Sequence, residues 1–242
     1  MNLIIDIGNT CSKIALYDGT AMKEFCKADN RQMEISDDWC NRYSIDKAIV
    51  SSVIVIPENI ERQINKLSCP VVHFSTAMEL PVKILYRTPH TLGVDRLAAV
   101  IGAQGEAPGK DLLVIDAGSA ITYDFLDALG NYHGGNISPG VNMRLRALHE
   151  FTSKLPLVAS SGDAPALGYN TETAIRSGVL RGVAYEVEGY ITELKEKYPS
   201  VLIFLTGGDE KTLIYNIKSC IFADEFLVLK GLNRILILND II

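Results

Sequence analysis

The side chains best suited to chemistry follow the first apolar run of the chain. That run ends in Asp6, and Gly8 and Lys13 follow shortly after it. Small polar side chains that can donate or accept hydrogen bonds stand between them, namely Asn9, Thr10 and Ser12. Gly8 lets the backbone approach a ligand closely, and Lys13 supplies a positive charge. These residue types indicate a turn that holds phosphate groups. Asp6 is placed to hold a divalent cation through water, because Mg²⁺ prefers carboxylates and water as ligands.

A second copy of this pattern lies about half the chain later. An apolar run ends in Asp116, Gly118 and the hydroxyl residue Ser119 follow, and a second apolar stretch begins at Ala120. An internal repeat near half the chain length indicates two similar halves that face one cleft. Taken singly, Asp6 and Asp116 could be ordinary strand-end residues. As a matched pair beside polar turns, they are better interpreted as ligands of cations and of phosphate-bound water.

A third glycine-bearing turn follows another apolar run. Gly207 and Gly208 come directly after that run, which suits close packing against a nucleotide. The motifs G-x-x-x-x-G-K-[ST] and G-x-G-x-x-G do not occur in the sequence, so neither a P-loop nor a Rossmann site is predicted. The prediction of a phosphate site therefore depends on the three turns taken together.

Asp95 and Arg96 lie in the first turn of a predicted helix and have two open interpretations. In one, Asp95 caps the helix and compensates its dipole, while Arg96 is solvated. In the other, the carboxylate accepts a proton from a hydroxyl that attacks phosphorus, and the guanidinium holds a carboxylate or phosphate at two points. Alcohols are too weakly acidic to ionise first, so such a base would act during the transition state. Tyr86 either lines a pocket or packs in the core.

Strands and helices alternate around these groups. Strands are predicted on both sides of the two Asp-bearing turns, at 2–7, 12–18, 111–117 and 120–127. Helices are predicted at about 93–104, 140–151 and 171–197. This alternation is typical of the α/β class. The Gly/Pro-rich segment 105–109 is the best domain boundary, and it divides the chain into domains 1–108 and 109–242. The polar stretch 29–44 receives no role.

The composition argues against several classes of function. Of the 242 residues, 48% are apolar, which suffices for a core, and the net charge of −6 favours neither nucleic acid nor an anionic membrane as a partner. No apolar run approaches the roughly 20 residues of a membrane span. We expect a cytoplasmic protein, because the N-terminus lacks a secretory signal. The five cysteines agree with this, since they are scattered and form no C-x-x-C pair.

Five short motifs, taken in order, carry a resemblance to a known family. They are Asp6-x-Gly-Asn-Thr, Gly93-x-Asp-Arg, Asp116-x-Gly-Ser-Ala, Gly134-Gly-x-Ile-x-Pro-Gly, and Asn170-Thr171 before a long predicted helix. With these motifs the chain resembles the type III pantothenate kinases over nearly its whole length. That family belongs to the acetate and sugar kinase/actin-like ATPase superfamily. The resemblance implies two similar actin-like (ribonuclease H-like) α/β domains, with central mixed sheets and a nucleotide cleft between them.

The same resemblance implies an activity and a set of site residues. The activity is ATP-dependent phosphorylation of the primary hydroxyl of pantothenate to 4'-phosphopantothenate, the first step of coenzyme A biosynthesis. Transfer would be direct and in line, with Asp95 as the proton acceptor. The implied ATP-binding residues are Asp6, Ile7, Gly8, Asn9, Thr10, Cys11, Ser12, Lys13 and Ser119. The implied pantothenate-binding residues are Tyr86, Gly93, Val94, Asp95, Arg96 and Thr171.

The resemblance also implies two cations and a dimer. Mg²⁺ would accompany ATP and bind Asp6 through water, and a monovalent cation, K⁺ or ammonium, would bind Asp116. The family is typically a cytoplasmic homodimer with substrate pockets near the dimer interface. This chain has Ser119 where the family usually has threonine, although the hydroxyl is kept. Thr173 competes with Thr171 for the substrate contact. A related small-molecule kinase and a non-catalytic nucleotide-binding regulator remain alternatives.

Overall fold

The computed structural model describes residues 1–210, 213 and 217–239. The described strands are β1 (Asn2–Ile7), β2 (Cys11–Asp18), β3 (Ala21–Asp29), β4 (Lys47–Ser52), β5 (Val71–His73), β6 (Lys83–Ile84), β7 (Leu112–Ala117), β8 (Ala120–Leu126), β9 (Asn131–Pro139), β10 (Leu202–Thr206) and β11 (Phe222–Ala223). The described helices are α1 (Asp37–Arg42), α2 (Glu58–Ile64), α3 (Val94–Glu106), α4 (Val141–Glu150), α5 (Thr171–Lys197), α6 (Leu227–Leu238) and a 3₁₀ helix at Pro89–Thr91. The predicted α/β class is confirmed, as are the three helices predicted at 93–104, 140–151 and 171–197.

The strands form two mixed sheets. In the first, the order is β3-β2-β1-β4-β5, with β2 antiparallel to β1 and β3 and with β4 parallel to β1 and β5. In the second, the order is β11-β10-β7-β8-β9-β6, with β8 antiparallel to β7 and β10 parallel to β7. Each sheet therefore sets an antiparallel hairpin, β1–β2 or β7–β8, beside a parallel strand. This is the internal repeat that the sequence predicts.

Contacts between residues divide the chain into two compact units. The first unit comprises 1–109, 127–134 and the described residues from 226 onwards. The second unit comprises 110–126 and 135–225. The Gly/Pro-rich segment 105–109 thus lies at one boundary, while the C-terminal helix α6 belongs to the first unit. The division into two continuous domains, 1–108 and 109–242, stays a prediction.

The central strand of the first unit, β1, is buried on both faces, which explains its continuous apolar sequence. Leu3 and Ile5 lie in a core that also contains Trp39 and Ile60. On the opposite face, α6 contacts β1, and the Asn2 side chain donates a hydrogen bond to Asn233 of that helix at 2.8 Å. The C-terminal helix is therefore part of the scaffold that holds the first hairpin.

The helix that carries Asp95, α3, packs against α6 at two glycines. A Cβ atom at Gly102 would lie 2.1 Å from the carbonyl oxygen of Leu227, and one at Gly231 would lie 1.8 Å from that of Ala98. No side chain fits at either position, so the two backbones cross in direct contact. This crossing fixes α3, and with it the place of Asp95 in the first unit.

The second unit is built around α5, which runs over 27 residues. Val183 and Val187 are fully buried, and they lie in one core with Ile115 of β7 and Leu205 of β10. This packing holds β7, and therefore the turn that follows Asp116. Within the described part of the chain, no helix combines the length and apolar character needed to cross a membrane.

Candidate active site

The first turn, residues 8–11, joins β1 to β2. The register pairs Asp6 with Lys13 and Ile7 with Ser12, so the two charged side chains lie opposite each other on one face of the hairpin. The Gly8 N–H donates to the Cys11 carbonyl at 3.1 Å and closes the turn. The remaining members of the turn, Asn9 and Thr10, are exposed. Their polar groups are therefore accessible to a ligand, whereas the Ile7 side chain is part of the core.

Ser12 has a different role from its exposed neighbours. Its side chain is fully buried, and its hydroxyl donates to Oδ1 of Asn30 at 2.8 Å. The Nδ2 group of Asn30 in turn donates to the Gly8 carbonyl at 2.9 Å. The Ser12 hydroxyl thus supports the turn from inside. Asn30 lies in the polar stretch 29–44, where no motif or periodicity could have drawn attention to it.

The substrate residues predicted in the first unit meet at the start of α3. Gly93 is the N-cap residue, and the N–H of Arg96 donates to Oδ1 of Asp95 at 2.8 Å. A Cβ atom at Gly93 would lie 2.6 Å from the same oxygen, so glycine is needed for the carboxylate to fold back onto the helix start. Asp95 does compensate the helix N-terminus, as the first interpretation expects. Its carboxylate is half-buried.

Arg96 is not solvated, contrary to that first interpretation. It is 5% exposed, and its guanidinium carbon lies 6.0 Å from the centre of the Tyr86 ring. Tyr86 is half-buried, and its ring is also backed by Gly134, where a Cβ atom would lie 2.6 Å from the ring. Tyr132 packs on Tyr86 with ring centres 6.4 Å apart. The aromatic ring therefore holds the charged group of Arg96 in a fixed, largely desolvated position.

The second turn, residues 118–120, joins β7 to β8 and repeats the plan in shorter form. Asp116 pairs with Thr122, and the Gly118 N–H donates to the Ala120 carbonyl at 2.9 Å. Ser119, the predicted ATP contact, is exposed. Its carbonyl accepts a hydrogen bond from the Gly140 N–H at 3.2 Å. A Cβ atom at residue 140 would lie 2.1 Å from the Gly118 carbonyl oxygen, so α4 can begin here only with glycine.

The third glycine turn closes on the second. Gly207 has φ +101°, and a Cβ atom there would lie 2.3 Å from the Ala117 carbonyl oxygen and 2.5 Å from Oδ1 of Asp116. The N–H of Asp209 donates to the Ala117 carbonyl at 2.9 Å. The sequence predicts Gly207 as a nucleotide-packing residue. The structure also gives it a contact with the carboxylate of Asp116.

Both strand-end aspartates have a buried hydroxyl beside them. On the parallel neighbour strand, Ser51 stands opposite Asp6, and Thr206 stands opposite Asp116. Both hydroxyls are buried and lack a hydrogen-bond partner among the described residues, and the same holds for Thr122 Oγ1 on β8. Carboxylate, hydroxyl and carbonyl oxygens are the donor set that Mg²⁺, K⁺ or bound water prefers. The residues present therefore fit the predicted cations.

No group of three or more His, Cys, Asp or Glu side chains that could hold a metal ion occurs within the described residues. Any cation bound at Asp6 or Asp116 would thus use one carboxylate together with other oxygens. Mg²⁺ that arrives with ATP is bound in this way, by one or two carboxylates, phosphates and water.

The alternatives at the start of α5 separate clearly. Thr173 is buried and forms a capping box with Asn170: its N–H donates to Oδ1 of Asn170 at 2.9 Å, and its hydroxyl accepts from the Asn170 N–H at 3.1 Å. Thr171 is exposed and lines an apolar pocket of about 860 Å³ with Phe151 and Ile175. Of the two, Thr171 has the hydroxyl that a substrate can reach.

The second unit contains a charged network that no sequence motif indicates. The carboxylate of Glu186 accepts hydrogen bonds from Tyr123 at 2.8 Å, Ser138 at 2.5 Å and Arg144 at 2.6 Å. Burial would raise the pKa of Glu186, but these hydrogen bonds outweigh it and hold the pKa below its usual value. The network ties β8, β9 and α4 to α5, and it fixes the segment that leads to Gly140.

The predicted residues are divided between the two units. The first unit holds the first turn and the cluster at the start of α3; the second unit holds Asp116, Ser119 and Thr171. Sequence reasoning missed the support around them, which consists of Asn30, Ser51, Thr122, Glu186 and Thr206. The glycines of the Gly134-Gly-x-Ile-x-Pro-Gly motif carried a family signal, and their close approaches supply its physical reason.

Comparisons with known proteins bear on this geometry. A family model described as type III pantothenate kinase matches residues 2–193. A type III pantothenate kinase from Bacteroides fragilis (strain YCH46) is 56% identical over 240 residues, which cover 99% of each chain. One from Phocaeicola vulgatus is 52% identical, with 99% of each chain covered.

Solved structures share the fold at lower identity. A chain from Campylobacter jejuni, assigned to a Baf family of transcriptional activators, has a TM-score of 0.64 and 21% identity, with 98% of both chains covered. A ROK family glucokinase from Streptomyces griseus, solved with glucose and AMPPNP, has a TM-score of 0.52 and 11% identity, with 98% of both chains covered. At these identities the likeness shows the fold alone. It confirms the predicted actin-like ATPase and sugar kinase fold.

Proposed function

The chain belongs to the type III pantothenate kinase family, and we propose that it transfers the γ-phosphoryl group of ATP to the primary hydroxyl of pantothenate, the first step towards coenzyme A. The observation that carries the proposal is the cluster of Asp95, Arg96 and Tyr86 at the start of α3. It combines a half-buried carboxylate with a guanidinium that is 5% exposed and fixed over an aromatic ring. A substrate with a hydroxyl and a carboxylate needs both groups, a base for the hydroxyl and a positive charge for the carboxylate.

Asp95 acts on the hydroxyl. One carboxylate oxygen is held by the Arg96 N–H at 2.8 Å, which fixes the orientation of the group. The other oxygen accepts the hydroxyl proton as the alcohol attacks phosphorus, because an alcohol is too weakly acidic to ionise beforehand. The Arg96 guanidinium holds the carboxylate of pantothenate, and desolvation strengthens that ion pair. Phosphoryl transfer is direct and in line, without a covalent enzyme intermediate.

The two Asp-bearing turns serve the nucleotide and its cations. The first turn, with exposed Asn9 and Thr10 and with Lys13 at its end, holds the ATP phosphates, and Asp6 holds Mg²⁺ through water. Asp116 holds a monovalent cation, K⁺ or ammonium, and the Ser119 hydroxyl contacts ATP. These cations supply positive charge that offsets the phosphates. The buried hydroxyls of Ser51 and Thr206 beside the two aspartates support these assignments.

The proposal includes a homodimer in the cytoplasm. In the second unit, Phe151 lines the same apolar pocket as Thr171 and is 85% exposed. Leu167 and Tyr169, shortly before α5 in the sequence, are 87% and 72% exposed. Large exposed apolar surfaces often mark contacts with another protein chain. A second copy of the chain would cover these side chains, so that the start of α5 serves both the dimer and the substrate. The five unpaired cysteines suit a reducing compartment.

The direct test is phosphorylation of pantothenate by the purified protein with Mg²⁺-ATP, in K⁺ or in Na⁺. We expect turnover that requires K⁺, and we expect the variant Asp95→Asn to lower kcat by about 10²- to 10⁴-fold. The affinity for ATP should stay unchanged in this variant. Asp127→Asn is a matched control, since it neutralises a carboxylate of the same unit that belongs to none of the predicted sites.

Each outcome selects among the alternatives. ATP binding without phosphorylation of pantothenate would favour another acid-bearing alcohol, which a substrate panel identifies, or a regulator without kinase activity. Turnover that survives in Asp95→Asn would keep the kinase and remove Asp95 as its base. A monomer in sedimentation measurements at working concentration would contradict the proposed dimer.

A further inference from the structure

The first turn is held by a residue to which the proposed reaction gives no role. Asn30 follows β3. Its side chain is buried although neither of its neighbours in the sequence is apolar. A buried side-chain amide is stable only with hydrogen-bond partners. Asn30 uses both ends of its amide on the first turn: Nδ2 donates to the Gly8 carbonyl at 2.9 Å, and Oδ1 accepts from the Ser12 hydroxyl at 2.8 Å.

These two bonds fix the direction of one backbone N–H group. No cis peptide bond occurs in the described chain, and in a trans peptide the C=O and N–H of one unit point in opposite directions. The Gly8 carbonyl points at the buried Asn30. The N–H of Asn9, in the same peptide unit, therefore points away from Asn30, towards the exposed side of the turn.

We propose that Asn30 is a positioning residue for ATP: by holding the Gly8 carbonyl, it aims the Asn9 N–H at a phosphate oxygen. The inference rests on the proposed function, because it takes the first turn as the phosphate site. Backbone N–H groups stabilise an anion when they are oriented before it arrives. Without Asn30 the peptide unit can rotate, and ATP binding weakens while the Asp95 cluster stays intact.

A neighbour of Asn30 provides a matched control. The Asn59 side chain, on α2, donates to the backbone carbonyl of Asn30 at 3.2 Å. The variant Asn59→Ala removes this bond to Asn30 and leaves both bonds between Asn30 and the turn. It therefore distinguishes the effect of loosening Asn30 itself from the effect of losing its hydrogen bond to the Gly8 carbonyl.

The test uses two variants, Asn30→Ala and Asn30→Leu, and the leucine keeps the buried volume so that packing is preserved. We expect both to raise KM for ATP, and Kd for a non-hydrolysable Mg²⁺-ATP analogue, by about tenfold or more. KM for pantothenate and kcat should stay within about threefold of the parent, which a general loss of structure would not allow. In amide NMR spectra, the Asn9 signal should shift on addition of the analogue in the parent and in Asn59→Ala, and much less in the Asn30 variants.

The outcomes separate this inference from the proposed function. Phosphorylation of pantothenate by the parent, together with unchanged analogue binding in both Asn30 variants, would overturn the inference and leave the function. Analogue binding that depends on Asn30, in a parent that phosphorylates no pantothenate, would support the inference and overturn the function. Equal losses in kcat and in both KM values, or loss of folded protein in both variants, would reduce Asn30 to a structural role and overturn the inference.

Discussion

The turn after β1 and the turn after β7 both close through a glycine N–H, from Gly8 to the Cys11 carbonyl at 3.1 Å and from Gly118 to the Ala120 carbonyl at 2.9 Å. In both, an aspartate stands two residues before the glycine, with a buried hydroxyl opposite it on the parallel neighbour strand. The first turn is one residue longer, because β1–β2 leaves four residues outside the register and β7–β8 leaves three. The repeat therefore keeps the aspartate and hydroxyl and varies the loop.

The two turns differ most in what surrounds the aspartate. Lys13 stands opposite Asp6, whereas Thr122 stands opposite Asp116. A cation across the strand favours phosphate beside Asp6, while the hydroxyl beside Asp116 adds a neutral oxygen ligand of the kind that a small cation prefers. The first turn is supported by a side chain, that of Asn30, and the second by the close approach of Gly140 and Gly207.

Among the variants that compare the two turns, the largest effects are expected from neutralising Asp6 and Asp116 separately. Asp6→Asn should lower kcat/KM for Mg²⁺-ATP by about 100-fold at every K⁺ concentration, because the proposed Mg²⁺ site would lose its negative charge. Asp116→Asn should raise the K⁺ concentration for half-maximal activity by about tenfold, and added K⁺ should restore much of the rate. Steady-state kinetics with separate Mg²⁺ and K⁺ titrations measure both. If the two variants responded to the opposite cation, the assignment of the turns would be reversed.

A smaller effect, on stability, tests how the turns are supported. In Gly207→Ala the new Cβ would clash with the Ala117 carbonyl at 2.3 Å and would sit at φ +101°, so we expect a loss of about 3 kcal/mol in the free energy of unfolding. In Gly8→Ala the nearest atom is the Cys11 carbonyl oxygen at 3.1 Å, and we expect a loss of about 1 kcal/mol. Urea unfolding measures both. Equal losses would mean that close backbone approach does not distinguish the second turn.

Much of this plan could be predicted from the sequence because its signals are local. An apolar run that ends in Asp-x-Gly marks a strand and its turn wherever it occurs, so Asp6 and Asp116 are found without knowledge of the fold. The three long helices follow for the same reason. The motif at the start of α3 indicates a site, but it does not determine whether Arg96 is buried, since that depends on Tyr86 and on packing outside the helix.

The supporting residues could not be predicted, because each acts through a contact distant in sequence. Asn30 meets the Gly8 carbonyl across 22 residues of chain, and nothing in the sequence marks it. Asn233 of α6 accepts a hydrogen bond from Asn2, which is 231 residues away in the sequence. The order of elements along the chain therefore does not reveal that the last helix supports the first strand. Ser51 and Thr206 become a matched pair only when the parallel register is known.

The smallest effect concerns a third hairpin turn, at 127–131. Its aspartate, Asp127, forms hydrogen bonds within the turn. Asp127 accepts hydrogen bonds from the N–H groups of Leu129 and Asn131 at 3.0 and 2.9 Å, and its other oxygen lies 2.7 Å from Nε2 of His133. Burial would raise the pKa of Asp127, but these bonds outweigh it and lower the pKa to about 2. The carboxylate therefore stabilises the fold above about pH 4, its usual pKa when unfolded, and this contribution is lost as the pH falls towards 2.

We expect Asp127→Asn to cost about 1 kcal/mol of unfolding free energy at pH 7, since solvent screens this partly exposed turn. The difference from the parent should fall to about half at pH 3, where part of the carboxylate's advantage is already lost. Both KM values should match the parent, in contrast to Asp6→Asn and Asp116→Asn. Urea unfolding at the two pH values checks the first point, and kinetics check the second. A stability difference that did not change with pH would show that the charge of Asp127 does not stabilise the turn. A change in KM for ATP would add this turn to the two that are proposed to bind the nucleotide and its cations.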